Sequence, residues 1–281
     1  MPTIEQNRLG WGQNYEWTQG GEEWSKEWGS SHMQWFGAIL PRIGSFVPTD
    51  TILEIAPGYG RWTAFLRKLC RRLIVVDLAA RCIEACRERF VSDSHISFFV
   101  NDGTNLGMVE DASVDFIFSF DSLVHAEDTV LRSYMAEFSR KLRPNGVAFI
   151  HHSNLGEYER LVRVESQLSK IPKLVGGLRR LGILDNATCY WRAYSMTAEK
   201  MTMFANEHNL QCVSQELVTW KTRSTTIDCF STIVRAGCKW SRQNRVLRNT
   251  GFMREARSLR NLSFLYESAQ PPDNRNRSER F

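Results

Sequence analysis

Glu54-Ile55-Ala56-Pro57-Gly58-Tyr59-Gly60 sits between a β-rich run and a helical one. A turn with Ala56, Gly58 and Gly60 at its bends lets backbone approach a ligand closely, which bulkier residues would prevent. Seventeen positions past Gly60, Asp77 closes the next apolar run and is followed by Leu78. A carboxylate there can accept hydrogen bonds from a pair of ribose hydroxyls. Asn101-Asp102-Gly103 ends a third run, placed to meet the amino group of an adenine, and Phe120-Asp121 ends a fourth. Glu54 can reach the amino end of a ligand or the backbone of the turn. Three histidines follow these ends: His125 after the fourth run, and His151 and His152 at the end of a fifth. A histidine near neutral pKa can take the proton that a weakly acidic hydroxyl must lose when its oxygen attacks an electrophile. His125, His151 and His152 are the candidate bases, and Asp121 could orient one of them, hold a cofactor or ligate a metal. A divalent ion such as Mg2+ between Asp121 and His152 remains open, although a third ligand is lacking.

The elements that must position these groups alternate between strands and helices. Strands are expected at Thr51–Ile55, Leu73–Val76, Ile96–Val100, Val114–Ser119 and Val147–His151. Helices are expected at Arg61–Leu69, Ala79–Phe90 and Thr129–Leu142, the last ended by Pro144-Asn145-Gly146. Such alternation signals βαβ units in a parallel sheet, with all strand C-termini along one rim. A helix from Thr197 to Glu207 follows, then strands near Gln211–Lys221 and Thr226–Val234. Thr63 stands where a dinucleotide fingerprint wants its third glycine, and no Gly-Lys-Ser/Thr follows, so neither pyrophosphate cradling nor a triphosphate loop is expected.

Residues 1–48 hold five of the nine tryptophans. The spacing of Trp24, Trp28 and Trp35, extended by Phe36, Ile39, Leu40 and Ile43, predicts one helical face packed on the sheet. Upstream, Tyr15 and Trp17 lie in a glycine-rich, polar stretch that reads as a lid or substrate wall. The chain divides into this aromatic-rich segment (1–48), a main domain (49–236) with a basic acceptor-side insertion (154–194), and a basic tail (237–281). The tail is expected to be a solvated helix followed by a disordered end; the alternative is an anion-binding element.

Bulk properties narrow the classes. The chain has 281 residues, 42% hydrophobic and 24% charged, with a net charge of +5, the profile of a globular protein with a sizeable core. No apolar run is long enough to span a membrane, no secretory layout opens the sequence, and the seven cysteines show no metal-site spacing. A cytoplasmic location is the expectation, and a homodimer is left open.

Together these strand-end residues resemble the class I S-adenosylmethionine-dependent methyltransferases over residues 50 to 235. Glu54 to Gly60 is similar to the family's first motif, Asp77 to its ribose-binding acid and Asn101-Asp102-Gly103 to its adenine-side motif. Ala56 departs from the usual first glycine but is small enough. The resemblance implies an α/β, Rossmann-like, seven-stranded, mostly parallel sheet with helices on both faces. It also implies S-adenosylmethionine bound by Glu54, Ala56, Gly58, Tyr59, Gly60, Asp77, Leu78, Asp102, Gly103 and Asp121. Phe120-Asp121-Ser122-Leu123 departs from the Asn/Asp-Pro-Pro-Tyr/Phe pattern of enzymes that methylate nucleobase nitrogens. Phe120 to Glu127, the tryptophan-rich N-terminus and Arg192-Ala193-Tyr194-Ser195-Met196 resemble bacterial sugar and glycan O-methyltransferases of polysaccharide biosynthesis. That likeness extends to those acting on the reducing-end 1-hydroxyl of methylmannose polysaccharide precursors. It implies a saccharide or oligosaccharide acceptor against Tyr15, Trp17 and Tyr194, with Trp24, Tyr190 and Trp191 as further stacking surfaces. The alternatives are O-methylation of a lipid or natural product, and an RNA-binding methyltransferase or scaffold using the basic tail. Nucleic acid is the less expected partner, since the tail has few aromatic residues for stacking.

Overall fold

The computed structural model describes residues 3–168, 171–180, 191–222 and 224–266. Eight strands form one sheet: β1 (Thr49–Ile55), β2 (Cys70–Asp77), β3 (Ile96–Val100), β4 (Val114–Ser119), β5 (Leu142–Ser153), β6 (Leu210–Val218), β7 (Asp228–Arg235) and β8 (Arg245–Asn249). Their order is β3-β2-β1-β4-β5-β7-β6-β8. β3, β2, β1, β4 and β5 are mutually parallel, β7 runs antiparallel to β5 and β6, and β8 lies parallel to β6. The central strands are buried on both faces, as parallel strands covered by helices must be. Alternate residues therefore serve two separate cores. Ile52, Val75 and Phe118 join one, while Leu53, Ile74 and Ile117 join the other, following the two-residue period of a strand.

The seven-stranded expectation is corrected by β8, which comes from the stretch read as a basic tail. The helix Phe252–Tyr266 then returns over the sheet, burying Phe252 and Ala256 in the core that holds Trp28 and Trp35. Gly37 makes this approach possible: a side chain there would begin 2.4 Å from Leu259 Cδ1. Residues 267–281 lie outside the described residues. A second correction concerns Pro144-Asn145-Gly146, which falls within β5 rather than in a turn. The register jumps there from Val114↔Leu142 to Phe116↔Val147, so the extra residues are absorbed as a bulge.

The continuous N-terminal helix is broken in two. A 3-10 turn spans Glu22–Trp28 and ends at Gly29, whose φ is +92°, a conformation glycine adopts cheaply. Helical structure resumes at Ser31, capped by the Ser30 hydroxyl. It passes through a π-turn at Trp35–Ile39 and ends at Ile43, with Pro41 just beyond the π-turn unable to donate a backbone hydrogen bond. Trp28 and Trp35 are buried as expected of that face, but the break at Gly29 leaves Trp24 38% exposed. Within the insertion, helices occupy Glu159–Leu168 and Pro172–Arg180. No helix among the described residues is long and apolar enough to cross a membrane.

Candidate active site

The C-terminal ends of β1, β2, β3 and β4 open onto a cavity of about 770 Å3, large within the roughly 300–1,000 Å3 typical of small-molecule sites. Of the residues expected at a cofactor, Ala56, Gly58, Asp77, Leu78, Gly103 and Asp121 are on its wall. The turn after β1 is bent as its composition requires, with φ of +57° at Ala56, +57° at Gly58 and +80° at Gly60. Asp77 Oδ2 accepts the Gly58 N–H at 3.3 Å and Oδ1 accepts the Ala79 N–H at 2.8 Å, so the acid is held against the turn. Burial raises its pKa to about 6, opposed by those backbone donors. A carboxylate ionised at neutral pH thus faces the cavity beside exposed backbone, a donor and acceptor set that suits the ribose of an adenosyl cofactor.

Other expected contacts sit behind the wall. Glu54 is buried beneath the turn, where Oε2 accepts the Thr63 hydroxyl at 2.6 Å. Burial, with Asp77 adding to it, raises its pKa to about 8. Gly60 packs under Phe90, which a side chain would strike at 2.5 Å. Tyr59 turns outward to stack on Trp17 at 4.7 Å. Asp102 is consumed by its own loop, accepting from Thr104 N, Thr104 Oγ1 and Asn105 N at 2.8, 2.9 and 3.0 Å. Its neighbours Asn101 and Gly103 reach the wall instead.

The three histidines separate cleanly. His125 is on the wall, 7% exposed. Its Nδ1 lies 2.5 Å from the Trp191 carbonyl oxygen, which can only accept, so Nδ1 carries the proton and Nε2 the lone pair. The ring packs against both Trp11 and Trp191, at 5.1 and 5.4 Å, and the two indoles also touch each other at 5.7 Å. Burial, then the nearby Arg192 charge, lowers its pKa to about 4, which corrects the near-neutral value expected of a base. His151 is not on the wall: Nδ1 accepts the Asp121 N–H at 3.0 Å, and Nε2 lies 3.1 Å from Asp228 Oδ2, a close contact off hydrogen-bond alignment. His152, the next residue of the strand, faces the opposite side. Its nitrogens meet Ser153 O and Ser231 Oγ, both at 2.8 Å. His152 is a satisfied core residue, which removes it as a base and breaks the expected metal pair with Asp121. Among the described residues no group of three or more His, Cys, Asp or Glu side chains could hold a metal ion.

Asp121 has a φ of +63° and belongs to a buried charge chain. Its Oδ2 is 3.2 Å from Arg61 Nη2 and its Oδ1 3.8 Å from Arg192 Nη2. Arg192 in turn forks onto Asp228 at 2.9 and 2.8 Å, and with His151 this holds the Asp228 carboxyl down at about 2 despite burial. Asp228 went unpredicted, although a carboxylate heading a buried strand requires a partner.

Trp11, Trp17, Trp24, Trp62, Trp191 and Trp220 all line the cavity. The first three come from the N-terminal segment, which lies against the rim. Tyr15 supports this wall from behind, with its ring 4.9 Å from Trp17 and 5.4 Å from Trp24. Tyr194 is partly buried against the core and is not on the cavity wall, and Tyr190 lies outside the described residues.

Comparison with known proteins agrees with this geometry. Residues 52–146 match the family model of a methyltransferase domain. Over 175 residues the chain is 27% identical to a malonyl-[acyl-carrier protein] O-methyltransferase of Yersinia pestis, covering 60% of this chain and 61% of that protein. Over 70 residues it is 40% identical to a protein-L-isoaspartate O-methyltransferase of Ruegeria sp. (strain TM1040), covering 24% and 32%. The chain thus spans less than two thirds of either curated relative. Among solved structures, the N-methyltransferase NodS of Bradyrhizobium japonicum WM9, in complex with S-adenosyl-L-homocysteine, superposes with a TM-score of 0.51 at 20% identity, over 84% of this chain and 100% of that one. Residues 52–146 thus carry the matched methyltransferase domain, and the eight-stranded, mostly parallel sheet has a Rossmann-like form.

Proposed function

We propose that this protein transfers a methyl group from S-adenosylmethionine to a hydroxyl oxygen of a small saccharide or oligosaccharide, with His125 as the base. The observation that carries this reading is the setting of His125. It is a buried, neutral imidazole on the cavity wall, its tautomer set by the Trp191 carbonyl so that Nε2 holds the lone pair. S-adenosylmethionine, when bound, supplies an electrophilic methyl on a sulfonium. Asp77 and the Ala56–Gly58 backbone would hold its ribose and turn-side atoms. Nε2 of His125 would receive the acceptor's proton as the oxygen attacks. Asp121, committed to Arg61, would keep the rim charged and ordered rather than take that proton.

Six tryptophans around one cavity suit the apolar faces of sugar rings. Positioning between such walls supplies further rate by holding acceptor and methyl group in line. The test is a screen of sugars and oligosaccharides, methylated mannosides with a free 1-hydroxyl among them, for S-adenosylhomocysteine release, with magnesium and with chelator. Turnover of a saccharide that is indifferent to chelator is expected. Turnover confined to amines, lipids or acyl carriers would overturn the acceptor assignment.

A further inference from the structure

Asp228 heads β7, is fully buried and is not on the cavity wall, yet its contacts lead there. Its carboxylate accepts both arms of the wall residue Arg192. It also lies 3.1 Å from His151 Nε2, and the same ring accepts the N–H of Asp121, another wall residue. Two wall residues near this carboxylate have left-handed backbone, Asp121 at φ +63° and Trp191 at φ +48°. For a tryptophan that conformation is an outlier, kept only where the surroundings over-determine it.

Trp191 is where the strain meets the base. Its carbonyl oxygen is the partner of His125 Nδ1 at 2.5 Å, the contact that leaves the lone pair on Nε2. Three bonds hold the chain just after this carbonyl. The Ala193 N–H donates to Val124 O at 2.9 Å, the Ser153 hydroxyl donates to Ala193 O at 2.7 Å, and Arg192 forks onto Asp228 at 2.9 and 2.8 Å. The first two act on Ala193. The fork acts on Arg192, whose peptide bond contains the Trp191 carbonyl. Asp121 Oδ1, 3.8 Å from Arg192 Nη2, is the competing carboxylate, and without Asp228 it would draw the guanidinium away and turn that peptide. We infer that Asp228 is a positioning residue for the base: by holding Arg192 it aims the Trp191 carbonyl at His125 and so fixes which ring nitrogen carries the lone pair. This rests on the reading of His125 as the base, and it gives a strand outside the matched domain at 52–146 a part in methyl transfer.

Nitrogen-15 NMR of the histidine rings in the full chain at neutral pH tests it, with the His125 signals assigned by their loss in His125→Ala. The native ring should be held in the Nδ1–H form. Asp228→Asn offers Arg192 one acceptor oxygen in place of two. The His125 tautomer ratio should then move toward the Nε2–H form by about fivefold or more, the equivalent of one hydrogen bond. A buried arginine without its charge partner can cost the fold. The paired variant Arg192→Met with Asp228→Leu, which replaces the ion pair by apolar side chains, is therefore measured alongside and should show the same shift. Affinity for S-adenosylhomocysteine, read by calorimetry, should stay near the native value in both. An unchanged tautomer ratio in either folded variant overturns the inference and leaves the Ala193 and Ser153 bonds as the support of that carbonyl. Loss of S-adenosylhomocysteine affinity in both variants also overturns it, making Asp228 a residue of the fold alone. A native ring in the Nε2–H form overturns it together with the base assignment. If the tautomer shifts while His125→Ala keeps full turnover of an accepted saccharide, the positioning stands and the base reading alone falls.

Discussion

Gly58→Ala probes the contact between the turn after β1 and the N-terminal segment. An alanine Cβ at Gly58 would lie 2.6 Å from Trp17 Cη2 and 3.0 Å from Cζ3, so the indole must move. Moving it breaks the stack on Tyr59 (4.7 Å between centroids, 11° between planes) and strains the indole hydrogen bond to Trp11 O at 3.0 Å. The aromatic pair contributes about 0.5–1.5 kcal/mol and the hydrogen bond about 0.5–1.5 kcal/mol. Holding alanine at φ +57° costs about 1–2 kcal/mol more. Reduced freedom of the unfolded chain returns about 0.4–1 kcal/mol, leaving a net loss of about 1–5 kcal/mol. In a Trp17→Ala background only the backbone cost remains, so the double-mutant cycle should show a coupling of about 1–3 kcal/mol. Urea unfolding followed by far-ultraviolet circular dichroism measures all four proteins, and tryptophan emission should shift red in Gly58→Ala as Trp17 leaves its stack. Equal cost of Gly58→Ala in both backgrounds would refute the packing of Trp17 over the turn.

Two further outcomes follow from the buried titrating groups. His125→Ala should lower turnover by about 10²- to 10⁴-fold while leaving S-adenosylhomocysteine affinity unchanged by calorimetry. The base acts unprotonated and its pKa is lowered to about 4, so turnover at saturating cofactor should stay flat from pH 8 to below 6. A midpoint near the ordinary histidine value of about 6.5 would contradict the assignment. Glu54 carries the opposite sign: its folded pKa is raised to about 8 from 4.5. The folded chain therefore binds the extra proton between those values, and its contribution to stability is lost as pH rises through 8. Denaturation midpoints of the ligand-free protein should decline over that range, and Glu54→Gln should flatten the decline; an unchanged slope would sink this account.

Much of the frame was legible because it is local. β3 and β4 follow the apolar runs at Ile96–Val100 and Val114–Ser119, and the Thr197 cap marks its helix by a hydroxyl that accepts the Lys200 N–H at 3.0 Å. β8 was hidden because Arg245–Asn249 carries little strand propensity of its own and is held by pairing with β6. The division of labour among the histidines was equally out of reach. Which of His151 and His152 points toward Asp121 depends on strand register, and the tautomer of His125 depends on a carbonyl 66 residues away. The charge chain through Arg192 and Asp228 joins a loop to a strand 36 residues later, so neither residue announces its partner. Of the tryptophan wall, Trp17, Trp24 and Trp191 were named from the sequence; Trp11, Trp62 and Trp220 join it by folding.

The most direct test of the central claim is a calorimetric titration of the full chain with S-adenosylhomocysteine, repeated on folded Asp77→Ala. The account predicts saturable one-to-one binding that Asp77→Ala weakens severalfold or more, because a carboxylate held at the end of β2 meets the ribose. Undiminished affinity in that variant, or no binding by the native chain, would contradict it.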